Sequence, residues 1–479
     1  MPDTISDGMP RRILRNTLSL TGANFGCAAL SFVATAWMAR VLTAEGFGII
    51  GFAQAILTYF MLLTNLGFAH YGVREVARAP EKTELFVNNI ITMRVVAAAL
   101  GYAGLAVVAA FIPKPLPVKI AILILGMRLF NLTFHLRWVF QSKEKVGWIS
   151  LSRLLPQILY AVSVLTLITN RERLLAVPAL QVLTGACGVI ILFVLYIRSG
   201  HRFRFTIDLP FWKNAARQSL PMAASFMLSQ IYVNFDMILL GFTHGETTVG
   251  HYSAAYKAIL AINLLATYYF FNLFPNMSRL FVESRERLEN LIATSLKYAS
   301  IGLMPVAVGG MVLAGPLMMT AFGEGYTASV IPFSIIVWNI AIINIRQHFN
   351  NALIACDLQK RYLVAAGTGA VINIALNFIF IPRYGMPAAA ATTIFTEIVV
   401  LCMMYRDTRR VIKPGLIKHL ARPLPASLGM GAVLFILPEF NVFLKILTGI
   451  GTYMVLALVT RTIRGDDIAR LKELVKGSR

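Results

Sequence analysis

Inside stretches apolar enough to cross a membrane, this chain carries six basic side chains, Arg94, Arg128, Arg137, Arg153, Lys257 and Arg346, together with His135 and two carboxylates, Asp236 and Glu397. A cation at the centre of a bilayer helix costs about 2.5–3.5 kcal/mol, so it persists where it meets water, a partner or a ligand. The chemistry on offer is recognition of an anion by charge-assisted, bidentate hydrogen bonds, with a buried acid available to hold a proton or a sodium ion. Covalent chemistry has no comparable support. Acids outside the spans, such as Glu45, Glu246, Glu324 and Glu439, stand singly, and Cys27, Cys187, Cys356 and Cys402 have neither disulfide nor metal-site spacing. The residues therefore predict a protein that is not an enzyme and needs no cofactor beyond a coupling H+ or Na+.

The stretch "GMRLFNLTFHLRWVFQS", residues 126 to 142, concentrates this pattern. At 100° per residue, Arg128, Asn131, His135 and Trp138 share a helix face, while Arg137 sits opposite, near an end, and reads as a snorkelling residue. Asn339, Arg346 and Asn350 repeat the spacing in a later span, with His348 off the stripe and expected to be packed. Two such basic, amide-rich stripes facing one cavity would attract an anion. Asn24, Ala28, Ser31 and Thr35 form a third stripe, and Ser225, Ser229, Tyr232 and Asp236 a fourth; this spacing suits either close helix packing or substrate contact. Asp236 needs a partner or a proton, which makes it half of a pair with Lys257 or an ion-coupling site. Glu397 has no evident partner in the sequence and is the better coupling candidate. Arg94 and Arg153, each a turn or so from the basic side, suit snorkelling or an entry funnel for a phosphate-bearing head group.

The elements that must position these residues are membrane spans. The chain has 479 residues, of which 57% are hydrophobic and 14% charged, and its mean hydropathy is +0.69. Pro, Gly and charge clusters divide it into about fourteen spans near 17–40, 47–70, 88–112, 117–141, 148–169, 174–197, 219–242, 248–274, 297–322, 327–355, 361–382, 386–405, 421–438 and 441–460. The first apolar run exceeds the core of a signal peptide and is read as the first span. With the N-terminus inside, 31 of the 44 basic residues fall in alternate, cytoplasmic segments and 7 on the other side. The net charge of +22 is then a topology signal and a contact for anionic lipid, not a nucleic-acid surface. "VREVARAPEKTELFVNN" and "SRLFVESRERLENLIATSLKYA" read as interfacial amphipathic helices after the second and eighth spans.

"GIIGFAQAIL" from Gly48 aligns with "GHYSAAYKAI" from Gly250, an offset near 200 that maps spans one to six onto seven to twelve in the same orientation. Parallel repeats of this kind build two-lobed transporters with a central cavity. The expected fold is an all-α polytopic membrane protein of about fourteen transmembrane helices. Residues 1–205 and 206–412 would form two pseudo-symmetric six-helix lobes, and 413–479 a C-terminal hairpin and tail.

"NTLSLTGANFGCAALSFVATAWMARVLTAEGFGIIGFAQAILTYFMLLTNLGFAHYGVREVAR" resembles the opening of the polysaccharide-transport flippases of the MOP exporter superfamily, the Wzx-type O-antigen flippases among them. "SLPMAASFMLSQIYVNFDMILLGF" with "VGHYSAAYKA" repeats it, and "ACDLQKRYLVAAGTGAVINIALNFIFIPRYGMPAAAATTIFTE" is similar to the stretch between the tenth and twelfth spans of that family. The resemblance covers residues 12 to 410; one departure is Leu42-Thr43, where many members have Leu-Gly. It implies a MATE-like fold in the cytoplasmic membrane with both termini inside. The activity implied is alternating-access transfer of a polyprenyl-pyrophosphate-linked oligosaccharide to the outer leaflet, among membrane lipids and polysaccharide assembly proteins. Arg128 and Arg346 would bind the pyrophosphate. A lipid II flippase and a cation-coupled drug exporter share the fold, but the latter is expected to have an acidic cavity.

Overall fold

The computed structural model describes residues 8–413, 415–438 and 440–463, with side chains outside 8–21, 221–233, 264–272 and 417–418. Ser225, Ser229 and Tyr232 of the fourth stripe, and Glu439, thus lie outside the described side chains. The described residues fold as helices: α1 (Gly8–Asn65), α2 (Phe68–Arg78), α3 (Thr83–Phe111), α4 (Leu116–Gly126), α5 (Arg128–Thr133), α6 (Arg137–Ser142), α7 (Val146–Leu167), α8 (Ala176–Arg198), α9 (Leu209–His244), α10 (Glu246–Glu283), α11 (Arg285–Val312), α12 (Ala314–Phe322), α13 (Val330–Ile336), α14 (Trp338–Ala355), α15 (Gln359–Thr408), α16 (Leu416–Leu420), α17 (Pro423–Ile436) and α18 (Val442–Val459). Nine stretches among the described residues are long and apolar enough to cross a membrane. Two of these, Gly22–Arg78 and Gln359–Thr408, are 57 and 50 residues long, more than twice the roughly 20 a crossing needs. They are interrupted where the backbone leaves helical geometry, at Thr43 and at Gly385. The protein is multi-pass.

The residues sort into two compact units, Met1–Ser253 and Ala254–Arg479, so the division falls within α10. In the first, α7 packs along α1 and against α8, and aromatic side chains from α2, α3, α6 and α8 build a cluster that includes Phe68, Tyr71, Phe86, Trp138 and Tyr196. The segment after α8 lies along α3 in extended form. The amides of Arg202, Arg204 and Thr206 donate to Glu84 Oε1 (2.8 Å), Asn88 Oδ1 (3.0 Å) and Thr92 Oγ1 (3.1 Å). Two extended residues advance the chain by about as much as four helical ones, which is why the register holds over three bonds. In the second unit, α15 packs on α14, and the α17–α18 hairpin docks on α11, with Tyr453 donating its hydroxyl to Ile301 O (2.7 Å).

The first unit also contains a reciprocal contact between the expected repeats. A Cβ on Gly48 would lie 1.7 Å from Glu246 O, and one on Gly250 would lie 1.8 Å from Ala44 O, so both crossings need glycine. A Cβ on Gly51 would lie 2.5 Å from the Ser253 hydroxyl. Each pair, 44 with 246, 48 with 250 and 51 with 253, is separated by 202 residues, the exchange that two-fold-related hairpins produce. The backbone agrees: Thr43 has φ 61 and ψ 176, and Gly245, again 202 residues on, has φ 82 and ψ 177. That region is natural for glycine and strained for threonine, by about 1–3 kcal/mol. The Leu42-Thr43 departure therefore keeps the geometry of the turn and carries strain in it.

Two outcomes follow for thermal unfolding in detergent. Thr43→Gly is expected to raise the midpoint by a few degrees, corresponding to relief of about 1 kcal/mol. Gly250→Ala is expected to lower it, by an overpacking cost of about 1–3 kcal/mol, whereas Gly367→Ala, which meets nothing within 4 Å, leaves it near the parent value.

Candidate anion site

The segment that carries Arg128, His135 and Arg137 is not one helix. It breaks at Met127 and again at Phe134–Leu136, giving the three short helices α4, α5 and α6. The imidazole of His135 caps the second break, its Nδ1 accepting from the amide of Arg137 (3.4 Å). The ideal face drawn through Arg128, Asn131, His135 and Trp138 is corrected accordingly. Trp138 is buried, its ring lying where a Cβ on Gly72 would be, 2.4 Å from the nearest ring atom. His135 and Arg137 are neighbours at that break, and both feel the charge of Arg153.

Arg153 of α7 is near both, and Arg94 of α3 is near His135. His135 sits in the field of Arg137, Arg94 and Arg153, and Arg137 and Arg153 each act on the Cys27 thiol of α1. Arg137 and Arg153 repel each other. Asn24 lies one turn before Cys27 on the same side of α1, with a buried Oδ1 that accepts no hydrogen bond. Arg94 is 2% exposed, so it does not snorkel; its Nη2 donates to Asn65 Oδ1 (2.8 Å), and its buried Nε has no acceptor. The Nε of Arg137 is likewise buried without an acceptor, while the residue as a whole is partly exposed. Among the described residues, no carboxylate lies within 4.0 Å of Arg94, Arg137 or Arg153. Three arginines from three helices, with His135 at the break, thus lie in one region with no carboxylate beside them among the described residues and with the Nε atoms of Arg94 and Arg137 lacking acceptors. That arrangement can bind a polyvalent anion, and mutual repulsion makes it favour one.

Arg128 belongs to a different group. Its Nη1 donates to Gln181 Oε1 (3.2 Å), which also accepts from Gln54 Nε2 (3.2 Å), while Gln181 Nε2 donates to Tyr160 (3.1 Å). Asn131 Nδ2 donates to Val182 O (2.8 Å). Gln54, Tyr160 and Gln181 were not singled out by periodicity, although a lone amide in the middle of an apolar span is a readable signal for the first and last.

The second unit corrects two expectations. Glu397, expected without a partner, forms an ion pair with Arg346, Nε to Oε2 at 2.7 Å, the side chains being 3% and 12% exposed. The charge expected to bind pyrophosphate there is thereby neutralised by the acid expected to couple an ion. Asn350 Nδ2 donates to Gln347 Oε1 (3.3 Å), and Asn339 is buried. His348 is packed as expected, between Ser295 Oγ (2.6 Å) and Asn344 O (2.9 Å). A buried ladder of Asn373, Asn377 and Thr392 was not anticipated. In the first unit, Asp236 accepts from Tyr252 (2.5 Å) and from its neighbour's amide, Met237 N (2.8 Å). Tyr252, five residues before Lys257 on α10, therefore stands where the ammonium was expected.

Because breaking a buried ion pair leaves the remaining charge exposed to a poor solvent, Arg346→Gln and Glu397→Gln are each expected to destabilise the protein by about 3 kcal/mol. The double variant, Arg346→Gln with Glu397→Gln, should lose less than the sum of the singles in a double-mutant cycle of thermal unfolding. Additive losses would show that the two side chains do not act as a pair.

The family model described as "Polysaccharide biosynthesis protein" matches residues 13–281. The chain is 23% identical to an Escherichia coli (strain K12) protein named "Putative O-antigen transporter", over 82% of this chain and 96% of that one. It is 22% identical to "Probable flippase AglR" of Haloferax volcanii, over 52% and 54% of the two chains. Among solved structures, the lipid II flippase MurJ in an inward closed conformation superposes with a TM-score of 0.74 at 16% identity, covering 92% of this chain and 98% of that one. An inward-facing multidrug-resistance MATE family transporter of the MOP superfamily gives 0.65 at 13% identity, covering 82% and 97%. With more than half of its residues inside the family model, this chain is a member of the polysaccharide biosynthesis protein family, built on the helical fold of MOP-superfamily transporters.

Proposed function

We propose that the protein is a flippase that moves a polyprenyl-pyrophosphate-linked oligosaccharide from the cytoplasmic to the outer leaflet by alternating access, for assembly of a surface polysaccharide. The observation that carries this reading is the convergence of Arg94, His135, Arg137 and Arg153 with no carboxylate within 4.0 Å among the described residues. A pyrophosphate cannot enter hydrocarbon uncompensated, and guanidinium groups offer it both charge and a matching donor fork. The names of the relatives, an O-antigen transporter and a flippase, support the same substrate class. The distribution of Lys and Arg supports a cytoplasmic membrane location with both termini inside.

The role first assigned to Arg128 and Arg346 passes to the arginines of α3, α6 and α7. Ion coupling, in turn, is better served by Asp236 than by Glu397. Asp236 is 2% exposed and held by two neutral donors, so it can take up a proton or cation, whereas Glu397 is committed to Arg346.

In cells that depend on this protein, Arg137→Ala and Arg153→Ala are each expected to cut surface polysaccharide at least tenfold, with the double variant lower still and membrane levels of the protein unchanged. The unexported glycan should remain lipid-linked in the inner leaflet. Normal polysaccharide from the double variant would remove these arginines from the mechanism, and loss of glycan synthesis itself would point to an enzyme.

A further inference from the structure

The Arg128 group has features of a second binding site. Arg128, Gln54, Tyr160 and Gln181 come from four different helical segments, at the start of α5 and within α1, α7 and α8. All four are partly exposed although they lie within predicted spans, and they hydrogen-bond to one another. Polar side chains that meet across four helices face the interior of the bundle, so the surface they leave accessible lines a polar interior rather than lipid. Arg128 has one side-chain hydrogen bond, to Gln181, among the described residues, and no carboxylate within 4.0 Å. Most of its five N–H donors remain available.

The group lies at a different depth from the arginine cluster. On α1, Gln54 binds the Arg128 group and Asn65 binds Arg94, eleven residues along. On α7, Tyr160 belongs to the first and Arg153 to the second, seven residues along. At about 1.5 Å per residue these intervals are about 10–16 Å. A diphosphate cannot span that gap; a diphosphate carrying its first sugars can. The chemistry changes between the two depths as well. One is cationic and short of acceptors. The other combines amide donors and acceptors, a phenol and a single guanidinium, the mixture that pairs with hydroxyl groups, and a site built to pair hydroxyls rejects ligands that lack them.

We propose that Arg128, Gln54, Tyr160 and Gln181 form a glycan subsite, separate from the diphosphate site, that receives the first sugars of the lipid-linked substrate and sets selectivity for them. The inference rests on the flippase reading above and adds a direction to it: the diphosphate sits toward the predicted cytoplasmic side and the glycan extends outward along α7 and α1.

The test is binding to the full-length protein in lipid nanodiscs, with two probes. One is undecaprenyl diphosphate; the other is the lipid-linked glycan extracted from cells from which this protein has been deleted. Wild-type protein is expected to bind both, the glycan-bearing probe more tightly. Arg128→Gln and Gln181→Leu should each weaken the glycan-bearing probe tenfold or more while leaving undecaprenyl diphosphate within twofold, and Arg153→Ala should weaken both. Equal weakening of both probes by Arg128→Gln would place it in the diphosphate site, and no change with either variant would remove the subsite; both results overturn the proposal. A wild-type protein that binds neither probe would instead overturn the flippase reading itself. The two variants act on different helices, so a folding defect in one, visible as a changed size-exclusion profile, leaves the other to decide.

Discussion

Charge without a counter-charge is the constraint that organises the first unit. Arg94 is held by a hydrogen bond to the neutral Asn65, and the buried Nε atoms of Arg94 and Arg137 are left without acceptors. Such an arrangement costs folding free energy unless an anion completes it. The packing of that unit is otherwise carried by aromatic and aliphatic side chains, with Arg94 buried among its helices. On the flippase reading proposed above, ligand binding offsets that cost. The second unit shows the opposite solution with the same residue types. Arg346 and Glu397 meet at 2.7 Å as an ion pair, so their charges offset each other and the pair contributes to how α14 and α15 fit together.

The local backbone is what makes the convergence possible. A continuous helix from Leu116 to Ser142 would send Arg137 away from His135, on the opposite face. The break at Phe134–Leu136, capped by His135 Nδ1, sets the direction of α6, which carries Arg137 within the field of Arg153 while Trp138 fills the space beside Gly72. The extended segment after α8 reaches the same region. Phe203 packs against Phe134 and Phe193, with ring centroids 6.5 and 5.5 Å apart, so the connection between the repeats is anchored next to the break.

Much of this was legible before any coordinates. Each predicted span falls on helix, Arg94 and Arg153 stood out as charges in apolar sequence, and the repeat offset reappears in the Gly48 and Gly250 crossings. What could not be read has physical causes. No Pro or Gly marks the break at Phe134–Leu136, so an unbroken helix with Arg137 opposite His135 is the natural expectation. Glu397 and Arg346 lie on separate helices, and their pairing depends on how α14 packs on α15, which periodicity within one span cannot encode. Thr43 shows the converse: the motif departs from glycine, yet the backbone retains the glycine geometry also found at Gly245.

The central claim is that the arginines of α3, α6 and α7 hold a diphosphate. Electron cryo-microscopy of the protein with its lipid-linked glycan bound tests it most directly. The account predicts density for the two phosphates against Arg137 and Arg153, with the Arg346–Glu397 pair intact. Phosphate density elsewhere, or guanidinium groups of the cluster closed onto carboxylates in the bound state, would contradict it.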